Sequence, residues 1–225
     1  MREVVLDTET TGLNPEEGHR VIEVACMELT NHLPSGRTFH SLFNPERAVE
    51  FSATEIHGMT TQDLVGMPLF EQRATEFLAF VAEDPLIIHN AQFDIKFLNS
   101  ELDRAGLPLL DLSRTIDTLT LARKKFPGAP ANLDALCRRF SIDNSARDKH
   151  NALLDVDLLA QVYVELIGGR QPDLRLTTSV INEEPQPPLD AKPIKRRWPK
   201  HAPSAEERRE HIGLLKKLIN PLWLS

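Results

Sequence analysis

The chain has 225 residues, 41% of them apolar and 26% charged, with a net charge of −7. That length can bury one good-sized core with residues to spare, and no apolar run approaches the ~18 residues of a membrane span. The acidic balance argues against a non-specific nucleic-acid binder, because displacing the counterions of phosphates requires cations on the protein.

The charge is unevenly placed. Residues 168–225 hold 11 Lys and Arg against 7 Asp and Glu, a net +4, which leaves −11 on residues 1–167. Half of the 16 prolines also fall in that last quarter. Two regions therefore meet near Gly168-Gly169. The N-terminus opens directly into an apolar strand with no basic stretch before it, so no secretion signal is read and a cytoplasmic protein is expected. Cys26 and Cys137 are far apart, in apolar surroundings and outside any CxxC spacing. They are expected as buried thiols, with no zinc site.

In chain order, Val4-Val5-Leu6 reads as a buried strand that runs into Asp7-Thr8-Glu9 and stops at Gly12. Residues i and i+2 of a strand share a face, so Asp7 and Glu9 project together. Two like charges at the rim of a core are costly unless a cation lies between them, and a divalent metal with oxygen ligands is the economical explanation. An acidic turn after a strand is the alternative. Leu13-Asn14-Pro15 and Gly18 make a loop, and Val21 to Met27 is a second strand. A turn is expected over residues 31–36 and a third strand over 38–43, giving an antiparallel meander. Residues around Ile56-His57-Gly58-Met59 read as irregular. Apolar spacing predicts a helix over 70–81, and Pro85 to His89 is a short buried strand.

A helix follows from about Ala91 to Ala105. At its start stands Asn90-Ala91-Gln92-Phe93-Asp94, with Asn90 and Asp94 nearly on one side of a turn. This is the C-terminal end of a strand, where sheet proteins place ligands. An Asn N-cap with a dipole-favoured Asp is the competing reading. Residues 115–124 are a strand edge or a short helix, and 133–140 and 152–167 are helices, the last ended by two glycines. Asp155 lies on the apolar stripe of Leu159, Val162 and Leu166, an informative exception. His150 is five residues earlier, about 500° of helical rotation. It is therefore expected on a loop before the helix, with its ring reaching the same point as Asp155. A surface histidine beside a helix start is the alternative. Strands first and strand–helix alternation later predict a mixed sheet with helices on its faces.

D-x-E, N-x-x-x-D and H-x-A-x-x-D, in this order, resemble the DEDD exonuclease superfamily in its histidine-type subgroup. The segments 122–128, 133–137 and 142–145, with Leu153-Leu154-Asp155 and the closing glycines, are similar to the family of proofreading epsilon subunits of bacterial DNA polymerase III. The likeness covers 3–169 and, more weakly, the tail. It implies an RNase H-like α/β fold, 3′–5′ removal of mismatched nucleotides from a DNA 3′ end, and two divalent cations, Mg²⁺ or Mn²⁺. Asp7, Glu9, Asp94 and Asp155 would hold the metals. His150 would be the general base, since an imidazole of pKa about 6.5 can take a proton from water at neutral pH. Substrate contacts are implied for Asp7, Glu9, Asp155, Ser52 and His57. Thr8, Thr10 and Gly12 offer backbone N–H groups to a phosphate.

The resemblance also divides the chain into an exonuclease domain (1–169), a linker (170–203) and a C-terminal segment (204–225). Residues 171–176 resemble a sliding-clamp (beta) peptide through Gln171, Leu174 and Leu176, with Pro172 where leucine is usual; an ordinary linker is the alternative. The run 195–200 is basic and reads as a solvated charge run. Ser204 and Glu207 fit a capping box. The helix it starts presents Ile212, Leu215 and Leu218, then Leu222 and Trp223, an apolar stripe without a core of its own. The family implies that this segment binds the polymerase (alpha) subunit, and that a small theta-type subunit could sit on the exonuclease domain. An RNA 3′-end-trimming relative and a non-catalytic scaffold between polymerase and clamp are the competing functions.

Overall fold

A computed structural model describes residues 1–145, 149–168 and 203–215. The chain divides into two compact units, Met1–Leu174 and Arg175–Ser225. In the first, a five-stranded sheet runs in the order β3-β2-β1-β4-β5. The strands are β1 (Arg2–Thr10), β2 (Val21–Thr30), β3 (Leu33–Leu42), β4 (Leu86–Ile88) and β5 (Thr115–Asp117). β1 pairs antiparallel with β2, and β2 with β3, whereas β4 lies parallel to both β1 and β5. β1 is the central strand and is covered on both faces, which is why its apolar residues run on without alternating with polar ones.

The helices of this unit are α1 (Phe51–His57), α2 (Phe70–Val81), α3 (Ala91–Arg104), α4 (Thr118–Lys125), α5 (Leu133–Phe140) and α6 (Ala152–Ile167). The period of the strands splits the core in two. Val4, Leu6, Val24 and Cys26 face Phe77, Phe97 and Leu98 of α2 and α3. Val5, Ala25 and Leu29 face Leu136, Val156 and Leu159 of α5 and α6. Both cysteines are buried, and burial pushes the Cys26 thiol far up. No helix among the described residues is long and apolar enough to cross a membrane.

Three expectations need correction. The turn between β2 and β3 is not the six residues 31–36. It is two residues, Asn31 and His32, both left-handed at φ 51° and 66°, the backbone that matches strand twist in a tight hairpin. Gly36, at φ +87°, falls instead in an irregularity of β3, where the β2 register shifts between Met27 and Leu29. The irregular stretch around Ile56 is helical: α1 has seven residues, no side-chain cap at its start, and a left-handed Gly58 whose N–H returns to the Thr54 carbonyl at 2.8 Å. The side-chain cap offered as the alternative at Asn90 does not form: Asn90 stands at the N-cap position of α3, but it is left-handed (φ 69°) and its side chain makes no capping bond. The 115–124 stretch holds both elements proposed for it, β5 and then α4, joined by Asp117, whose carboxylate accepts from the Leu119 N–H at 3.0 Å.

Within the second unit, α7 (Ala205–Leu215) starts at the expected box. The Glu207 N–H donates to Ser204 Oγ at 3.2 Å, and the Ser204 N–H to Glu207 Oε2 at 2.7 Å. Ile212 is exposed and Leu215 is buried. Gln171, Leu174, Leu176, the 195–200 run, Leu218, Leu222 and Trp223 lie outside the described residues.

Candidate active site

The C-terminal end of β1 lies between the N-termini of α3 and α6. On the α6 side of β1 stand Glu3, Val5, Asp7 and Glu9, every second residue. Glu9 is buried at 8% exposure. Thr8 points the other way, toward α3, and its hydroxyl donates to Asp94 Oδ1 at 2.7 Å. Asp94, in the first turn of α3, and Asp155, in the first turn of α6, are each 3% exposed. Asn151 caps α6, its side chain accepting from the Leu154 N–H at 3.1 Å. His150 precedes the cap on an exposed loop, held by its N–H to the Ile56 carbonyl at 3.1 Å. Its Nδ1 lies 3.3 Å from Asp155 Oδ2.

Electrostatics show how closely the acids gather. Burial, followed by the charges of Asp94, Glu9, Asp155 and Glu23, holds the Asp7 carboxyl well above the usual carboxylate range. Asp94 is pushed up to about 7, chiefly by burial, with Asp117 adding to the rise and its hydrogen bonds from Thr8 and the backbone opposing it. Groups so crowded do not ionise together without counter-charge. One oxygen each of Glu9 and Asp155 and a ring nitrogen of His150 lie within 4.8 Å of one another. Asp7 and Asp94 stand outside that trio. Hard oxygen donors with one imidazole suit a divalent cation of the Mg²⁺ or Mn²⁺ type.

The other expected residues are placed more loosely. Ser52 is exposed in the first turn of α1. His57, at the end of α1, is 7% exposed, and its Nδ1 accepts from the Met59 N–H at 3.1 Å. That leaves the proton of the neutral ring on Nε2, which is buried without a hydrogen bond of ordinary geometry. Burial lowers the His57 pKa, the nearby Thr10 carbonyl opposes this, and positive charge at His150 and Lys149 adds to the lowering. Lys149 packs so closely on Gly58 that a Cβ there would lie 2.7 Å from its Cδ. His89 is engaged with the Thr118 hydroxyl at 2.9 Å, and Phe93 and Phe97 stack with centroids 4.9 Å apart at the core.

Sequence reasoning overlooked three neighbours of the site: the Thr8 hydroxyl, Asp117 and Glu23. Only Glu23 carried a signal, a carboxylate inside the apolar run Val21-Ile22-Glu23-Val24.

A mixed sheet ending in gathered carboxylates and a loop histidine defines a nuclease class, and comparison with known proteins agrees. The RNase T family model, described as an exonuclease, matches residues 4–163. Among solved structures, the nuclease domain of 3′hExo, a DEDDh family member bound to rAMP, superposes with TM-score 0.62 at 20% identity, over 74% of this chain and 91% of that one. Exonuclease X in complex with 5′-overhanging duplex DNA gives 0.59 at 23%, over 73% and 90%.

Curated relatives narrow the class. DNA polymerase III subunit epsilon of Rickettsia felis is 49% identical over 215 residues, 89% of this chain and 94% of that protein. The Rickettsia prowazekii protein is 46% identical over 97% of both chains, and that of Escherichia coli K12 is 42% identical over 75% and 72%. The chain belongs to the exonuclease family and, within it, to the DNA polymerase III epsilon subunits, which are metal-dependent 3′–5′ proofreading exonucleases.

Proposed function

We propose that Asp7, Glu9, Asp94, Asp155 and His150 carry the hydrolysis of the 3′-terminal phosphodiester of DNA. The observation behind this is that Glu9, His150 and Asp155, remote in sequence, bring ligand atoms within 4.8 Å of one another, with Asp94 held by Thr8, the adjoining residue of β1. Asp7, Glu9, Asp94 and Asp155 would hold two cations, Mg²⁺ or Mn²⁺. Bound there, such a pair supplies charge stabilisation to both the attacking and the leaving oxygen of an in-line displacement.

The chain's own groups do the rest. His150, at the edge of the cluster and open to water, takes the proton of the attacking water as general base. Asp155, 3.3 Å from its Nδ1, orients the ring. Thr8 fixes the Asp94 carboxylate through its hydroxyl. The buried Nε2–H of His57 and the exposed Ser52 hydroxyl are donors for the terminal nucleotide. Thr8, Thr10 and Gly12 bring backbone N–H groups toward a phosphate.

The partners extend the same reading. Residues 1–169 form the exonuclease domain and 170–203 a linker, in which Gln171, Leu174 and Leu176 dock on the beta clamp. The 204–225 segment, through Ile212, Leu215, Leu218, Leu222 and Trp223, binds the alpha subunit, and a theta-type subunit could sit on the exonuclease domain. The setting is the bacterial cytoplasm. Tail alignment with the Rickettsia epsilon subunits over nearly the whole chain supports this reading.

A labelled DNA with a mismatched 3′ end is the direct test. The expected result is stepwise 3′–5′ shortening that needs Mg²⁺ or Mn²⁺ and stops in EDTA. Faster loss of a matching RNA strand would favour an RNA-trimming enzyme, and no metal-dependent cleavage at all would favour a scaffold. Deleting 204–225 is expected to leave this activity intact and to abolish co-elution with the alpha subunit; co-elution of residues 1–203 overturns that assignment.

A further inference from the structure

Glu23 is a further buried carboxylate at the catalytic end of the sheet. It lies in β2 directly opposite Glu9, is 1% exposed, and adds to the charge that raises Asp7. Opposed residues of an antiparallel pair share a face, so this charge is buried beside four others, an arrangement that costs stability. What its two oxygens do accounts for it. Oε1 lies 2.7 Å from His40 Nε2, on β3. Oε2 accepts the Ala152 N–H at 3.2 Å.

Ala152 is the first residue of α6, and its N–H is one of the four that a helix start leaves without an intrahelical partner. Asn151 supplies a local cap to Leu154. Glu23 supplies a distant one, from the strand that pairs with β1. A carboxylate at a helix N-terminus is also favoured by the helix dipole. His150 is two residues before this anchor and Asp155 three residues after it.

We propose that Glu23 is a positioning residue for the reaction. It fixes the start of α6, and with it His150 and Asp155, at the distance from Asp7 and Glu9 that the site requires. The proposal rests on the reading of the site given above. With both oxygens engaged inside the protein, Glu23 acts through the helix and does not touch substrate.

The test uses the full-length chain, single-stranded DNA labelled at its 5′ end, and a Mn²⁺ titration. Glu23→Ala is expected to lower kcat about 10–100-fold, the usual cost of losing a group that orients ligands. Its KM for DNA should stay within twofold, and the Mn²⁺ needed for half-maximal rate should rise several-fold. Glu23→Gln can keep an oxygen on the Ala152 N–H and turn its amide toward His40, and should recover most of the rate. Glu3→Gln is the control, an equally buried carboxylate on β1 far from the site; it should lose thermal stability and keep kcat within twofold.

If Glu23→Ala does not fold, Ala152→Pro decides. It removes the N–H at a position where proline suits a helix, adds ring atoms beside a residue that is 0% exposed, and should lower kcat about tenfold. A wild-type kcat in the folded Glu23→Ala or Ala152→Pro variant overturns the proposal, as does an equal kcat loss in Glu3→Gln. A wild-type chain without metal-dependent activity overturns the reading of the site and this proposal with it, whereas an active wild type beside an unaffected Glu23→Ala overturns this proposal alone.

Discussion

The seam between β1 and α6 has two ends, and both bury carboxylates. At the start of β1, Glu3 is fully buried, accepts the Tyr163 hydroxyl at 2.7 Å, and lies 2.7 Å from His32 Nδ1. The aromatic rings of His32 and Tyr163 meet edge-on around it, 5.9 Å apart. Four and six residues later on the same face, Asp7 and Glu9 meet Asp155, again from α6, and here burial and the neighbouring acids raise the Asp7 carboxyl. One strand face thus treats the same chemistry in two ways. Where the protein supplies the partners, a buried carboxylate holds helix to strand. Where it supplies more carboxylates, the proposed cations would balance the charge, and the stability lost would become binding affinity for them.

Removing the histidine should produce the largest contrast. His150→Ala is expected to lower kcat by about 10²–10⁴-fold, the range for a lost general base, while Mn²⁺ still raises the melting temperature. Substantial turnover at neutral pH would remove the base assignment. Loss of the Mn²⁺ response would make His150 a ligand, as its closeness to Glu9 and Asp155 allows.

Metal and pH should separate the two ends next. Asp7 and Asp94 have raised folded pKa values, Asp94 to about 7. Their contribution favours the metal-free fold fully below about 4, the unfolded carboxylate value, and is lost as pH climbs through the raised values, about 7 for Asp94. Cations bind the ionised acids, so millimolar Mn²⁺ should raise Tm on the order of 5–10 °C at pH 8 and much less at pH 5.5. An identical Mn²⁺ shift at both pH values, or none, would break the comparison. The smallest effect is expected at the self-satisfied end. Tyr163→Phe should cost about 1–3 kcal/mol by leaving Glu3 short of a donor, and should leave the cleavage rate within twofold.

Which parts could be read from sequence follows from where the information lies. The helices α2, α5 and α6 begin and end at the residues predicted: α2 and α6 carry apolar periods of 12 and 16 residues, Asn132 marks the start of α5, and Asn151 and Gly168 bound α6. Asp155 is legible as a charge on an apolar stripe, Asp94 by its spacing from Asn90 at the end of a strand, and the loop position of His150 by helical geometry. Helix α1 was not legible: seven residues hold too little periodicity, and Glu50 gives no capping signal. The hairpin turn is shorter than the 31–36 predicted because Asn31 and His32 take the left-handed backbone and close it in two residues. The roles of Thr8 and Glu23 depend on α3 and α6, which lie 86 and 129 residues away, and no local pattern carries such a distance.

The irregularity at Gly36 has a bearing on solubility. β3 is an outermost strand, and a long outer strand offers unpaired N–H and C=O groups to any other chain. Here Pro34 lacks an N–H, the register breaks beside it, and exposed Arg37 adds charge along the same margin, pairing with Glu28 at 2.9 Å. The opposite margin, β5, is only three residues long. These features blunt both edges of the sheet against edge-to-edge stacking, and regularising residues 34–37 into an unbroken apolar strand would be expected to promote aggregation during folding.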